Sequence, residues 1–342
     1  MSTVKRLGYL NAIMSDVERK PFSQIATEFA RCTVHSRRLP AHYFSSFLYR
    51  EGSGDCHNYL DRRTMDRIWG SPRLHHPLGT KILQNKLFFD RYYRNTEVEL
   101  PRTLGYCSNG YVFVGDERWS LVDLPQIMAT LLNQSEQGSV FIKPLDGING
   151  RQCRRFDWDD LNHADVHNLR RELMQGSYIF QETLTQHPSL SRIYSRSINT
   201  VRLDTFVRND GSISIISGLM RFGMHGREVD NGGCFIGVDL ERGILAKRAL
   251  CFLHLGGGIY DTHPNTNYRF AGFEVPFFAE AKETVVKAAQ LIPSRLVGWD
   301  VAITPRGPVL IEGNHNYHLG MSDTANQGYR SNPRFQEVLQ LI

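Results

Sequence analysis

Asp300, Glu312 and Asn314 belong to one segment, VGWDVAITPRGPVLIEGN at residues 297–314, whose spacing sets three oxygen ligands on one face of a β-hairpin. Two runs with period-2 alternation flank Pro305, Arg306, Gly307 and Pro308, the pattern of two antiparallel strands and a turn. With a loop over residues 305–307, Asp300 pairs across from Glu312 and Asn314 lies one step along the same face. Trp299, Val301, Ile303, Val309 and Ile311 then form the core face. Opposed carboxylates repel, so this pair needs a cation or a shared proton. Two carboxylates and an amide oxygen, with room for waters and phosphate oxygens, suit Mg²⁺ travelling with a nucleotide. The bland alternative is a surface hairpin with solvated acids. A loop one residue longer or shorter would turn Asp300 to the wrong face.

Other residues upstream carry charge at strand ends. Lys143 closes the apolar run SVFIKP and precedes the glycine loop at residues 146–150, DGING. An ammonium beside mobile backbone amides can hold phosphate oxygens, although the loop lacks the Gly-Lys-Ser/Thr of a P-loop. Taken alone, Lys143 reads as a solvated strand terminus, with phosphate binding as the alternative. Gln181 and Glu182 end the next strand, where backbone groups could meet an adenine edge and a carboxylate could meet ribose hydroxyls. In SINTVRLDTFV, period 2 puts Thr200, Arg202 and Asp204 on one face and Val201, Leu203 and Thr205 on the other. Arg202 needs an anionic partner there, either Asp204 or a ligand. His225, Arg227, Asp230, His263, Asn265 and the segment from His315 to His318 fall on loops near these strands, where ordinary loop polarity accounts for them at least as well. His75-His76-Pro77 is read as incidental rather than as a metal site.

The elements that must position these groups follow from the same patterning. Residues 1–100 show helical spacing in stretches such as 21–32 and 83–93, and predict a helical N-terminal region. From residue 110 short strands dominate, with Asn209-Asp210-Gly211 marking a hairpin between two of them. Phe278, Ala281, Val285, Ala288 and Ile292 recur at helical spacing after Pro276. At 342 residues the chain suits two or three packed subdomains rather than one core. Its 41% hydrophobic content predicts a folded protein, and scattered Lys and Arg with a net charge of +5 give no nucleic-acid footprint. The six cysteines, Cys32, Cys56, Cys107, Cys153, Cys234 and Cys251, include no CxxC pair and are expected to be reduced. No 18-residue apolar run occurs and the first twenty residues lack a signal-peptide core, so membrane insertion is not expected and a cytoplasmic protein is.

Taken together, a lysine, a glycine loop, a hinge glutamate, a strand arginine and a terminal Asp/Glu/Asn hairpin, in this order, resemble the ATP-grasp superfamily. NKLF at residues 85–88, FIKP at 141–144, the Gln181-Glu182 pair and Asp300, Glu312 and Asn314 resemble the corresponding parts of D-alanine–D-alanine ligases. SINTVRLDTF, GGCFIGVD, THPNT and residues 297–314 resemble the sugar-transfer-associated ATP-grasp proteins most, over roughly residues 80–325. The resemblance implies an α+β ATP-grasp fold: a helical region at 1–100, a small nucleotide-clamping subdomain at 101–182 and a C-terminal subdomain with the metal site at 183–342. It also implies ATP and Mg²⁺ as cofactors. Lys86 and Lys143 would contact phosphates, Gly147, Asn149 and Gly150 would close over them, Gln181, Glu182 and Leu184 would border the adenosine, and Asp300, Glu312 and Asn314 would hold the metal. The ligases carry an arginine two residues before the metal aspartate, where this chain has Gly298; Arg202 or Arg221 would then supply the catalytic positive charge. The implied reaction joins a small-molecule carboxylate to an amine through an acyl phosphate. Its rivals are a kinase acting on a sugar or polyol hydroxyl and a non-catalytic nucleotide-binding partner of glycan-assembly enzymes. The first hundred residues are left as an acceptor lid or a homodimer surface.

Overall fold

The computed structural model describes residues 13–146, 152–253 and 257–342. Its smaller sheet has six strands: β1 (Thr103–Ser108), β2 (Tyr111–Val114), β3 (Glu117–Ser120), β4 (Ser139–Pro144), β5 (Arg154–Asp157) and β6 (Tyr178–Glu182). They lie in the order β3-β2-β1-β6-β4-β5 with every pair antiparallel. Val140, Ile142, Phe156 and Phe180 alternate onto one face and bury against two helices, Leu124–Gln134 and His163–Gln175. The second helix starts where Asn162 accepts hydrogen bonds from the Ala164 and Asp165 amides, satisfying two of the donors a helix N-terminus leaves open. The other face carries Lys143 opposite Ile179, and Leu87 and Leu145 cover only part of it. One side is therefore apolar core, and the other carries the polar side chains of Lys143 and Gln181.

The larger sheet contains β7 (Thr200–Val207), β8 (Ile213–Phe222), β9 (Cys234–Gly237), β10 (Ala249–Cys251), β11 (Gly258–Tyr260), β12 (Leu296–Thr304) and β13 (Gly307–Asn314), in the order β11-β10-β9-β8-β7-β12-β13. The helix Phe278–Leu291 packs Phe278, Ala281, Val285 and Ala288 onto Val201, Leu203, Trp299 and Val301, as their helical and alternating spacings require. The predicted hairpin at residues 209–211 joins β7 to β8, with Gly211 at φ +83°. Val201 and Leu203 enter the core while Thr200, Arg202 and Asp204 take the opposite face. Among the described residues no helix is long and apolar enough to cross a membrane.

The β12–β13 hairpin reaches the expected Asp300–Glu312 pairing by a different route. Its turn has two residues, since Thr304 pairs with Gly307, and the residue thus gained is returned as a bulge between Asp300 and Val301, where the register shifts. Without the bulge the shorter turn would have put Asp300 opposite Ile311. The core face changes accordingly. Leu310 pairs with Val301 and enters the main core, whereas Val309 pairs with Ala302 and Ile311 is half-buried.

The N-terminal region is helical as expected, with helices at Phe22–Ser36, Ala41–Ser45, Arg62–Trp69, Pro77–Gln84 and Lys86–Tyr93. The last two are separate because Asn85 takes an extended backbone and its side chain caps the second, accepting from the Leu87 and Phe88 amides at 3.1 Å each. The expectation of six reduced cysteines fails at one pair. Cys32 and Cys56, 24 residues apart, form a disulfide that ties the Phe22–Ser36 helix to the short turn at Cys56–Asn58. Spacing could not reveal it, because the two residues meet only once the intervening chain has folded back.

Candidate functional site

The polar face of the larger sheet centres on Asp300, which is 1% exposed. Strand pairing places Arg202 directly opposite it, and the guanidinium grips the carboxylate at both ends: Nε donates to Oδ1 at 2.7 Å and Nη2 to Oδ2 at 2.8 Å. Sequence reasoning left Arg202 between Asp204 and a ligand; its partner is Asp300, ninety-eight positions away. Arg221, from β8, adds an Nη2 to Asp300 Oδ2 distance of 3.2 Å. Burial works against the Asp300 charge, but the two guanidiniums outweigh it and hold the carboxyl at about 2. So part of the compensation that the opposed acids require comes from arginines rather than from a cation.

Arg221 is itself held by Thr200 and by Asp230, which the sequence left as either a site residue or ordinary loop polarity. Its Nε and Nη2 donate to the Thr200 hydroxyl oxygen at 3.0 and 2.9 Å, and Nε lies 3.3 Å from Asp230 Oδ2. Asp230 also accepts from the Thr200 amide at 3.1 Å and from the Thr200 hydroxyl. Burial raises the Asp230 carboxyl, ahead of the opposing pull of Arg221. The residue looks like loop polarity because it sits in the glycine-rich segment between β8 and β9; only its 8% exposure marks it as structural.

Glu312 sits beside Asp300 on β13 and accepts from Asn314 Nδ2 at 3.2 Å; the same amide lies 3.5 Å from Asp300 Oδ2. Burial raises the Glu312 carboxyl, and the Asp300 charge raises it further. From the smaller sheet, Lys143 is 9% exposed; burial lowers its ammonium, while Glu312 is the foremost charge acting to restore it. Lys86, at the first position of the Lys86–Tyr93 helix, also bears on Glu312, and its amide donates to the Leu145 carbonyl at 3.1 Å. Hence Lys86, Lys143, Asp300, Glu312 and Asn314, from two sheets and a helix, converge on one place. Cys153, a residue missed in the sequence, joins them: burial raises its thiol against the pull of Lys143 and Lys86.

Not every expected residue joins the cluster. Gln181 shares the Lys143 face and donates to Thr103 Oγ1 at 3.3 Å. Glu182, one residue on, must point the other way, and its Oε1 accepts from the Glu136 amide at 2.6 Å. Its carboxylate is thus committed to the turn after the Leu124–Gln134 helix, away from Lys143. Leu184 is half-buried in the connection that follows β6. Gly147, Asn149 and Gly150 lie outside the described residues. Among the loop histidines, His263 is buried against Tyr194, His315 stands 5.8 Å from His75 ring to ring, and His318 caps the Leu319–Ala325 helix through Met321 N at 3.0 Å. Asn265 accepts from the His225 amide, and Arg227 donates to the Asn231 carbonyl, both at 3.0 Å. These contacts stabilise loops.

Gly298 explains why no arginine precedes Asp300 by two residues. A Cβ there would lie 2.6 Å from the Tyr317 ring and 3.0 Å from Asp204 Oδ1, so the space is already filled. As for the donor set, Glu312 and Asn314 supply the hard oxygens that Mg²⁺ favours, and the raised Glu312 carboxyl is a charge that a cation would relieve. Those two side chains fit a divalent ion. The three-residue cluster Asp55, Cys56 and His57 elsewhere does not, because Cys56 is in the disulfide.

Structural comparison returns several ligases. The ATP-grasp ligase PsnB, complexed with a phosphomimetic variant of its minimal precursor, Mg and ADP, aligns with a TM-score of 0.44 at 16% identity over 78% of this chain and 61% of its own. D-alanine–D-alanine ligase from Coxiella burnetii aligns with a TM-score of 0.46 at 7% identity over 77% and 58%. N5-carboxyaminoimidazole synthetase from Staphylococcus aureus, complexed with ADP, gives 0.40 at 12% identity over 74% and 53%. This chain therefore spans about three fifths of the length of the PsnB structure. No curated protein sequence matches it. Residues 71–338, which contain both sheets and every residue of the cluster, match the profile described as sugar-transfer associated ATP-grasp, and the chain belongs to that family.

Proposed function

We propose that the protein is an ATP-dependent ligase that joins a carboxylic acid to an amine, with the nucleotide phosphates lying where Lys86 and Lys143 approach the Glu312–Asn314 edge of the larger sheet. One observation carries this reading: Lys143, a buried ammonium on the polar face of one sheet, has its foremost favourable charge partner in Glu312 on the other. A buried cation from one sheet and a half-buried acid from the other suit a polyanion and its counter-ion between them. Glu312 and Asn314 would hold Mg²⁺, which supplies charge neutralisation on the phosphates when bound.

In this reading a substrate carboxylate oxygen attacks the γ-phosphorus and ADP leaves, giving an acyl phosphate. The amine nitrogen then attacks the acyl carbon, inorganic phosphate departs and the amine proton is lost. Lys86 and Lys143 hold phosphate oxygens; Arg202 and Arg221 keep positive charge beside the reacting group. No enzyme nucleophile is needed. The test is ADP release that requires both an acid and an amine, with a hydroxamate formed when hydroxylamine replaces the amine. ADP formation without a carboxylate requirement, or a stable phosphorylated alcohol, would reject ligation in favour of a kinase.

A further inference from the structure

The metal residues suggested by sequence form a triad, yet their surroundings are unequal. Asp300 accepts from Arg202 at both oxygens, at 2.7 and 2.8 Å, and Arg221 lies a further 3.2 Å from Oδ2. An ionised carboxylate has about four lone-pair positions; Arg202 engages two of them, Asn314 Nδ2 reaches Oδ2 at 3.5 Å, and Arg221 stands beside Oδ2 as a second ion partner. These arginines are not free to swing away. Arg202 is fixed by the direct pairing of β7 with β12, and its side chain is 6% exposed; Arg221 is tied to Thr200 and Asp230. Turning Asp300 toward a cation would leave a buried guanidinium without its partner.

Asn314 and Glu312 stand differently. The Asn314 amide nitrogen donates to Glu312 Oε1 at 3.2 Å and more distantly to Asp300 Oδ2 at 3.5 Å, and a half-turn of that amide presents its oxygen where the nitrogen now points. Both side chains are half-buried on β13, at the edge of the sheet, rather than enclosed like Asp300. One carboxylate and one amide oxygen, completed by water and phosphate oxygens, are a sufficient protein contribution for a single nucleotide-bound divalent ion.

We propose that Asp300 is not a cation ligand but the anchor that positions Arg202 and Arg221, and that the nucleotide-bound cation is held through Glu312 and Asn314 alone, one per chain. The guanidinium pair supplies the remaining positive charge beside the phosphates. This deepens the nucleotide reading above and rests on it.

The experiment counts Mn²⁺ bound to the full chain by electron paramagnetic resonance of the free ion, with a saturating non-hydrolysable ATP analogue. The expected result is one Mn²⁺ per chain, with its dissociation constant within threefold of wild type in Asp300→Asn and raised at least tenfold in Glu312→Gln. Arg202→Gln gives a second readout that does not need Asp300 to be altered. It frees an Asp300 oxygen to turn to the ion, and Mn²⁺ binding tightens at least threefold. Two Mn²⁺ per chain in wild type, Asp300→Asn weakening binding as much as Glu312→Gln does, or Arg202→Gln leaving it unchanged would each overturn the proposal. Absence of nucleotide-dependent Mn²⁺ in wild type is a different outcome: it removes the nucleotide reading itself, and this inference with it.

Discussion

Replacing Arg202 by Met tests the electrostatic centre of the larger sheet. Arg202 and Asp300 are 6% and 1% exposed at their side chains and joined by two short hydrogen bonds. Removing one member of a buried pair strands the other, at a cost of about 3–5 kcal/mol. Arg221, 3.2 Å from the same carboxylate, remains and softens that cost, so the lower end, about 3 kcal/mol, is expected. Met fills most of the volume, which keeps a cavity from confusing the result. The assay is urea unfolding followed by the summed fluorescence of the four tryptophans, one of which, Trp299, adjoins Asp300 in β12 and donates to Thr205 Oγ1 at 2.8 Å. The cycle is completed by Asp300→Leu and the double variant Arg202→Met/Asp300→Leu, which should be more stable than the sum of the single losses allows by at least about 1 kcal/mol. A loss below about 1 kcal/mol in Arg202→Met, or strict additivity in the double variant, would refute the argument that a buried pair fixes these strands.

Further consequences concern other parts of the chain. Burial, with the neighbouring His315 adding to it, lowers His75 from 6.5 to about 4. The folded state therefore binds fewer protons than the unfolded state between those values, and stability falls as pH drops through that window, by up to about 3 kcal/mol. His75→Gln, which can still donate to the Ile68 carbonyl, should flatten that limb of the stability profile; an unchanged slope would remove His75 as its cause. Gly298→Ala places a methyl 2.6 Å from the Tyr317 ring, and overpacking of this kind costs about 1–3 kcal/mol. Calorimetry showing no destabilisation would mean that Tyr317 yields. Breaking the Cys32–Cys56 disulfide releases a loop spanning 24 residues, so reductant should lower stability by about 3 kcal/mol in wild type and not at all in Cys32→Ser/Cys56→Ser. Equal reductant sensitivity in both proteins would point to another thiol.

Much of this architecture is legible from local pattern. The helix Phe278–Leu291 presents the spacing read from the sequence, and the alternation in β7 sorts Thr200 and Arg202 from Val201 and Leu203. The pairing of Asp300 with Glu312 is also legible, but through two offsetting differences, a shorter turn and a bulge, because period 2 does not report where a strand gains a residue. Relations between distant strands are not written locally. Asp300 meets Arg202 because β12 pairs with β7, and Asp230 meets Arg221 because the β8–β9 connection folds back over Thr200. Nor does a short motif fix side-chain direction: Gln181 and Glu182 are adjacent, so only one of them can face Lys143. Cys153 carries no sequence signal beyond its proximity to the glycine loop, and the Cys32–Cys56 pair none beyond its parity.

The most direct test of the account is calorimetric titration of a non-hydrolysable ATP analogue into wild type, Lys143→Met and Glu312→Gln, each with and without Mg²⁺. The account predicts that wild type binds the analogue with at least tenfold help from Mg²⁺, that Lys143→Met weakens binding in both conditions, and that Glu312→Gln loses the Mg²⁺ enhancement alone. Wild type that binds no analogue, or binding indifferent to Mg²⁺ and to both side chains, would contradict it.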